Sequence, residues 1–323
     1  MKQKIIITKS EAGERLDLIL AKRMPEYSRN FFANLIKTGE VKSLRQNLKP
    51  SFCPKAGEQF EISLTPPELE SLPEPEKIDL NILYEDENVI VINKSAGLVV
   101  HPAAGNKTGT LVNALLAHTP GIREAVSNED KLVSHFRPGI VHRLDKDTTG
   151  VMIVAKNPRA MHSLSRQIMN RNVKKVYLAI CCGWLKESFG KLTNSIGRSQ
   201  KNRKIMAEVG ETIGKIAISD YIVRKNFTDS KGNKFSLVEF DIKTGRTHQI
   251  RLQSKLIGKP ILGDIVYGNR DSLKFSKTLQ VERQMLHAQK LTLTLPGDDK
   301  STTFEAPLPK DFLSVLDKLE TVQ

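Results

Sequence analysis

The sequence of 323 residues predicts an α+β protein in which helices flank a mixed, mostly antiparallel β-sheet, with a small α/β domain preceding it. Three observations support this fold class. The chain begins with two short amphipathic helical patterns, continues through a proline-rich acidic segment, and then alternates strand-like apolar runs with turns and helices of variable length. The length also favours two domains, at about 150 residues per domain.

Residues 1–65 are predicted to form the small domain. Ser10 is expected to cap a first helix with its apolar residues on one face. Ser28 is expected to cap a second helix, which Gly39 ends in the left-handed conformation. From 41 to 64 the pattern is short and interrupted by prolines and a glycine, which predicts small strands.

The segment at 66–79 reads PPELESLPEPEKID, and its four prolines and five acidic residues against one lysine favour an extended linker. Residues 80–323 are predicted to form the larger domain. The strand-like runs in this domain are short and show no regular period, so a repeat protein is excluded.

The balance of charge favours a polyanionic partner. Lys and Arg number 50 against 36 Asp and Glu, which gives a net charge of +14. Such an excess attracts nucleic acid, although a solvated basic surface without a partner is the alternative. No apolar run reaches the roughly 18 residues that a membrane span needs. The N-terminal segment also lacks the apolar core of a signal peptide. We therefore expect a cytoplasmic protein without membrane contacts.

The sequence signatures of several cofactor and metal sites are missing. G-x-G-x-x-G, G-x-x-x-x-G-K-[ST], G-x-S-x-G and H-E-x-x-H do not occur. The three cysteines are too few and too poorly spaced for a zinc site or a disulfide framework. We therefore predict no cofactor and no metal.

A dense charged segment, HRLDKDTTG at 142–150, directly precedes the apolar run 151–155. Charged groups at the end of a buried strand are held at the rim of the sheet, where catalytic groups commonly lie, although a solvated turn is the alternative. A second segment, KTGRTHQIRLQSKLIGKPILGD, places Thr247 as a helix cap and Arg251 in the first turns of that helix. If Arg251 faces Asp145, each group keeps the other charged and the carboxylate remains a nucleophile.

Together these segments closely resemble the pseudouridine synthases of the RluA/RluD type. The resemblance spans nearly all of residues 80–310, and HRLDKDTTG is its most specific part. It also includes LYEDENVIVINKSAGLVVHP, VKKVYLAICCG, IGRSQKNRKIMA, RQMLHA and FEAPLP. The resemblance implies the pseudouridine synthase fold and an isomerase that detaches a uracil from its ribose, turns the base over and rejoins it through carbon 5.

The resemblance also implies a role for individual residues. Asp145 matches the essential aspartate, which attacks the anomeric carbon or takes the neighbouring sugar proton. Tyr177 matches a tyrosine that lies against the target base and accepts its carbon-5 proton, with a core strand aromatic as the alternative. Arg251 matches the arginine that pairs with the carboxylate. Arg143 matches a residue that helps to extrude the nucleotide, and Leu252 continues the strip that lines the pocket.

Two further segments are expected to bind RNA. IGRSQKNRKIMA, with Arg198, Arg203 and Lys204, resembles a basic strip that grips the phosphate backbone, and a solvated loop is the alternative. The small domain resembles the alpha-L RNA-binding domain of a small-subunit ribosomal protein in ERLDLIL, YSRNFFANLIKTGEV and KAGEQFEI. It departs from that family at VKSLRQN, which replaces Val-x-Val-Asn-Gly. An ordinary helical cap on the larger domain is the alternative.

The substrate that the resemblance implies is large-subunit ribosomal RNA, free or within an assembling ribosomal particle, and the enzyme is expected to be a monomer. One alternative is a glycosylase that uses Asp145 merely to cut the bond between base and sugar, which would release free uracil. The other is a non-catalytic RNA-binding or ribosome-assembly factor on a synthase fold. The joint presence of Asp145, Tyr177 and Arg251 argues against a non-catalytic protein.

Overall fold

The computed structural model describes residues 2–24, 27, 29–43, 48–64, 73–102, 105–126, 137–200, 202 and 205–322. The chain divides into two compact units. The first comprises Met1–Glu74 and Val126–Pro138, and the second comprises Pro75–Ala125 and Gly139–Gln323. Each unit encloses its own apolar core.

The first unit contains a three-stranded antiparallel sheet and two helices. In chain order its elements are β1 (Lys2–Ile6), α1 (Leu16–Arg23), α2 (Arg29–Thr38), β2 (Val41–Lys42) and β3 (Gln59–Ser63), and the strand order is β1-β3-β2. Leu16, Ile19 and Leu20 on α1 are buried with Phe32 and Phe60 in one core. Gly39 ends α2 with a φ of +80°, which confirms the predicted left-handed position.

The start of α1 differs from the prediction. The helix begins at Leu16, and no side chain caps it, so the predicted cap at Ser10 is wrong. The reason is a local turn: the Glu11 carboxylate accepts the backbone N–H of Thr8 at 2.9 Å, and the Ser10 hydroxyl lies 3.0 Å from that of Thr8. The predicted cap at Ser28 lies outside the described residues.

The second unit is built on an 11-stranded sheet. Its strands are β4 (Ile82–Glu85), β5 (Val89–Lys94), β6 (Thr149–Ala155), β7 (Lys174–Cys182), β8 (Phe189–Arg198), β9 (Met206–Glu208), β10 (Lys215–Thr228), β11 (Lys234–Ile242), β12 (Leu286–Thr294), β13 (Ser301–Glu305) and β14 (Glu320–Val322). The main path runs β4-β5-β6-β12-β7-β11-β10-β8-β9, while β13 pairs with β12 and β14 with β10. All pairs are antiparallel except β6 with β12, which confirms the predicted mixed, mostly antiparallel sheet.

Helices flank this sheet, as the sequence predicts. They are α3 (Leu111–His118), α4 (Pro158–Met169), α5 (Gln249–Leu256), α6 (Arg270–Leu279) and α7 (Lys310–Asp317), with a 3₁₀ turn at Pro120–Glu124. No helix among the residues placed in the structure is long and apolar enough to cross a membrane.

The parallel contact between β6 and β12 explains a glycine in the charged motif. Gly150 pairs with Ala288, and its φ is +117°. A Cβ at Gly150 would collide with the backbone of Ala288. Glycine therefore lets β6, which begins within the charged motif, lie against the start of β12.

The predicted linker at 66–79 is described only from residue 73 onward, where the chain forms no regular element. Its last part, from Pro75 onward, belongs to the second unit. The Glu76 N–H donates to the carbonyl of Asn113, and the Glu76 carboxylate accepts the N–H of Gly109 at 3.1 Å, just before α3. A carboxylate is stabilised at this position by the positive end of the helix dipole.

Candidate active site

Asp145 lies in the loop that leads into β6, and its side chain is 18% exposed. Two buried cations donate hydrogen bonds to the backbone carbonyls of the two residues that follow Asp145. The Lys94 ammonium donates to the carbonyl of Lys146 at 2.8 Å, and the Arg283 guanidinium donates to that of Asp147 at 3.2 Å. Side chains from two distant parts of the chain therefore fix the backbone that presents the carboxylate.

Lys94 is an unusual residue because its side chain ends in the protein interior. It is the last residue of β5, and its ammonium also donates to the carbonyls of Ser95 at 2.7 Å and Leu98 at 3.0 Å. Burial lowers the pKa of Lys94 to about 7. With Lys146 included, three carbonyls match the three N–H bonds of an ammonium group.

The substitution Lys94→Met is expected to lower the free energy of unfolding by about 2–4 kcal/mol, because three carbonyls lose their donor. It should also slow turnover by about 10- to 100-fold, because the loop beside Asp145 loses an anchor. Thermal unfolding and turnover measure the two effects. Lys290→Met is the control, since Lys290 pairs with Glu305 at the surface. Wild-type stability in Lys94→Met would show that the three contacts do not hold the loop.

Arg251 lies on α5 and joins two carboxylates. It donates from Nη1 to Oδ2 of Asp145 at 2.9 Å, and from Nε and Nη2 to Asp264 at 2.7 and 2.9 Å. The side chains of Arg251 and Asp264 are 7% and 0% exposed. Burial opposes the charge of Arg251, but its hydrogen bonds to Asp264 and the charges of Asp264 and Asp145 raise its pKa above the usual value. The predicted pairing of Arg251 with Asp145 is thus present in the structure.

Asp264 is a residue that the sequence analysis missed. Its Oδ1 also accepts the backbone N–H groups of Val266 and Tyr267, both at 3.0 Å. The turn that contains Asp264 therefore fixes the carboxylate in addition to its contact with Arg251. An aspartate after Gly263 is a signal for such an Asx turn. The sequence does not reveal that this turn packs under Arg251, because that depends on the tertiary fold.

The N-terminus of α5 differs from the prediction by one residue. His248, not Thr247, is the N-cap, and it has φ 56° and ψ 24°, the left-handed conformation. The His248 side chain makes no capping hydrogen bond to the helix. Instead the Gln249 side chain accepts the backbone N–H of Arg246 at 3.0 Å and the hydroxyl of Thr244 at 2.8 Å. The left-handed cap directs the imidazole toward Asp145, with Nε2 3.9 Å from Oδ2.

Tyr177 lies in the middle of β7 and is 8% exposed. Burial and the nearby charge of Asp145 raise the pKa of Tyr177 well above its usual value. The side chain is therefore a neutral phenol at neutral pH.

An open cleft brings most of these groups together. Its lining includes Arg143, Asp145, Tyr177, His248 and Arg251. No group of three or more metal-ligating side chains occurs in the part of the chain that the structure describes.

Leu252 is not part of the cleft, so the prediction that it lines the pocket is wrong. It is 3% exposed and packs in a separate cluster with Ile196, Ala217 and Tyr267. Successive residues of a helix point about 100° apart, so Ile250 and Leu252, on either side of Arg251, point about 160° apart and face different surfaces. Ile250 supplies the apolar lining from α5 instead.

The predicted basic strip is described only in part. Arg198 is exposed and is the last residue of β8. In the register of the sheet it lies opposite Met206 on the neighbouring strand β9. Arg203 and Lys204 lie outside the described residues.

Comparison with known proteins identifies the family. The family model for RNA pseudouridylate synthase matches residues 88–255. Ribosomal large subunit pseudouridine synthase D of Neisseria meningitidis serogroup B is 41% identical over 95% of this chain and 79% of its own. An uncharacterized RNA pseudouridine synthase of Chlorobaculum parvum is 42% identical over 98% and 97%. The structure of human RNA Pseudouridylate Synthase Domain Containing 1 aligns with a TM-score of 0.58 and 27% identity, over 77% of this chain and 91% of that one.

The fold and these matches define an RNA-modifying isomerase. The chain belongs to the RNA pseudouridylate synthase family, and within it to the RluA/RluD type.

Proposed function

We propose that this enzyme converts specific uridines of large-subunit ribosomal RNA to pseudouridine, with Asp145 as the catalytic group. The observation that carries the proposal is the Asp145 carboxylate at 2.9 Å from Arg251, in an open cleft that Arg143 and Tyr177 also line. Relatives named ribosomal large subunit pseudouridine synthase D in Neisseria meningitidis and Pseudomonas aeruginosa, 41% and 42% identical over 95% of this chain, support the choice of RNA.

The two oxygens of Asp145 have different surroundings. Oδ2 accepts the hydrogen bond from Arg251, whereas no donor from the described part of the chain reaches Oδ1. We assign the chemistry to Oδ1, because a lone pair that is not shared with a donor is the better nucleophile or base. Arg251 binds the carboxylate without covering both oxygens.

Two routes are compatible with this arrangement. In one, Oδ1 attacks C1′ while the electron pair of the C1′–N1 bond leaves with uracil; C5 of the turned base then attacks C1′ and displaces the carboxylate. In the other, the carboxylate takes the C2′ proton as uracil leaves, and returns it when the C5–C1′ bond forms. In both routes C5 finally loses a proton and N1 gains one.

Tyr177 is proposed to pack against the base and to accept the C5 proton late in the reaction. A neutral phenol is a poor base, and the charge of Asp145 is one of the two causes of its raised pKa. That charge has returned by the time the C5 proton leaves, because formation of the C5–C1′ bond displaces the carboxylate in one route and takes back its proton in the other. Tyr177 can therefore accept the C5 proton only while it passes its own phenolic proton to solvent, which also supplies the proton that N1 gains.

Binding of the RNA is assigned to basic groups around the cleft. Arg143 is exposed at the cleft rim, where a guanidinium can replace the everted nucleotide in its stack. Extrusion of a base costs a few kcal/mol, which such contacts must offset. Arg198, Arg203 and Lys204 are proposed to bind phosphates, and residues 1–65 to act as the alpha-L type RNA-binding domain. We propose a cytoplasmic monomer that acts on free RNA or on an assembling ribosomal particle.

Release of tritium from RNA labelled at carbon 5 of uridine tests the proposal. The wild-type enzyme is expected to release tritium from large-subunit ribosomal RNA at specific positions, and to leave transfer RNA and small-subunit ribosomal RNA unreacted. No free uracil should appear in the products. Equal release from transfer RNA would contradict the proposed substrate, and free uracil would indicate a glycosylase.

Deletion of residues 1–65 is expected to weaken RNA affinity by about tenfold and to reduce its salt dependence, because phosphate contacts are lost. Turnover at saturating RNA should stay within about threefold of wild type, because the groups of the cleft all belong to the second unit. Filter binding at several salt concentrations and tritium release measure these effects. Unchanged affinity and salt dependence would assign the small domain another role.

A further inference from the structure

His248 combines three features that its place in the helix does not require. Its backbone is left-handed, which is costly for a residue other than glycine. Its side chain lines the cleft, and its Nε2 lies 3.9 Å from Oδ2 of Asp145. Its Nδ1 lies 2.9 Å from the hydroxyl of Tyr267. Strained residues that persist beside a reactive group are candidates for a functional role.

Tyr267 is fully buried, at 1% exposure, and its hydroxyl has a defined partner on each side. The hydroxyl oxygen accepts the backbone N–H of Met206 in β9 at 2.9 Å. Its ring lies 5.2 Å from the Arg251 guanidinium and meets the His248 ring edge to face at 5.6 Å. One phenol therefore contacts both residues that face Asp145.

The hydrogen bonds of Tyr267 select one tautomer of His248. A neutral imidazole has one donor and one acceptor nitrogen. If Nδ1 carried the proton, two N–H groups would donate to one phenol oxygen, and the buried hydroxyl proton would have no acceptor among the described residues. An orphaned buried donor costs more than a hydrogen bond contributes. The phenol O–H therefore donates to Nδ1, and the proton of the imidazole is on Nε2, the nitrogen that faces Asp145.

We propose that His248 is a positioning residue for Asp145, held by the Tyr267 hydroxyl in the tautomer that turns its Nε2–H toward the carboxylate. At 3.9 Å this N–H is too far for a hydrogen bond to Oδ2, so it leaves the carboxylate free to react. It also restricts rotation of the carboxylate, because Oδ2 is confined between Arg251 and the imidazole edge. The inference rests on the proposed catalytic role of Asp145.

The surroundings favour a neutral His248. The charged groups that face it are Arg143 and Asp145 from the loop before β6, Arg251 from α5 and Asp264 from the following turn. Burial, opposed by the charge of Asp145, lowers the pKa of His248. The hydrogen bond from Tyr267 acts in the same direction, because it is made to the nitrogen that must accept the second proton.

The tautomer can be measured on the full-length protein without turnover. Nitrogen-15 NMR of histidine-labelled enzyme at neutral pH is expected to give His248 a protonated Nε2 and an unprotonated Nδ1, assigned by loss of the signals in His248→Gln. A protonated Nδ1 overturns the proposal. Failure of the catalytic role of Asp145 leaves this measurement unaffected, so the two failures are distinguishable.

Two variants separate positioning from a merely structural role. His248→Asn keeps a residue that tolerates the left-handed backbone but is too short to reach the carboxylate. We expect its unfolding temperature to stay within about 2 °C of wild type and kcat to fall about 10- to 100-fold, with KM changed by less than about threefold. His248→Gln can return an N–H near the Nε2 position and should recover most of the rate. A change in KM without a fall in kcat, or a wild-type kcat in His248→Asn, overturns the proposal.

The pH profile of Tyr267→Phe tests whether the Tyr267 hydroxyl controls His248. The ring stays against Arg251, but Nδ1 loses its donor, so His248 should protonate at a pH higher by about one unit. The acidic limb of kcat is then expected to shift upward by the same amount, and the shift should be absent when His248→Gln is added. Tyr84→Phe and His162→Gln, both at exposed residues, are the controls. An unshifted limb in Tyr267→Phe contradicts the proposal.

Discussion

The substitution Asp145→Asn is expected to lower turnover by at least about 10⁴-fold, which is the size of effect seen when an enzyme loses its nucleophile. Asparagine keeps the shape of the side chain, and its carbonyl oxygen can still accept from Arg251 at the position of Oδ2. It has no negative charge with which to attack C1′ or to take the C2′ proton. RNA affinity should therefore stay within about twofold of wild type.

Tritium release under single-turnover conditions measures the effect on chemistry, and filter binding measures the affinity. Asp147→Asn is the matched control, because Asp147 lies two residues further along the same loop and contributes its backbone carbonyl to Arg283. Turnover of that variant is expected within about threefold of wild type. Retained turnover in Asp145→Asn would refute the assignment of the catalytic group.

The substitution Arg251→Met is expected to have the largest effect on stability. Removing one partner of a buried ion pair leaves the other charge without compensation, which costs about 3–5 kcal/mol. Here the remaining group is the Asp264 carboxylate, whose side chain is fully buried. Turnover should also fall by at least about 10³-fold, since Asp145 loses its only close cation among the described residues. Thermal unfolding and tritium release measure these effects.

A double variant separates the two effects. Arg251→Met with Asp264→Asn removes the uncompensated charge, while the asparagine oxygen can still accept the N–H groups of Val266 and Tyr267. We expect most of the stability to return and turnover to remain lost. Arg251→Lys should behave differently from both, because one ammonium cannot bridge two carboxylates as a guanidinium does. Recovery of turnover in the double variant would show that Arg251 acts only through stability.

Much of the site could be predicted from the sequence because its charged residues lie in two compact motifs. The pairing of Asp145 with Arg251 followed from charge complementarity between those motifs. Their position at the end of a strand and the start of a helix followed from local patterns. Such inferences need only short-range spacing and the resemblance to a known family.

The groups that support the site could not be predicted in this way. Lys94, Asp264 and Arg283 are single residues in ordinary contexts, and only the tertiary fold brings them to the loop or to Arg251. The prediction for Leu252 failed for a related reason, since residues that are adjacent in the sequence do not lie on the same face of a helix. The strand β1 was also missed, although its isoleucines are β-formers, because a run of five residues gives a weak signal.

The position of β12 in the sheet has a consequence for synthesis of the protein. This strand, at Leu286–Thr294, lies between β6 and β7, although it is made more than a hundred residues after both. A nascent chain therefore carries the two halves of the sheet with a gap at the centre. It also lacks Arg283, the anchor of the loop that bears Asp145, until the ribosome has made most of the chain. Segments of such separation meet slowly, so the enzyme becomes competent only at the end of translation.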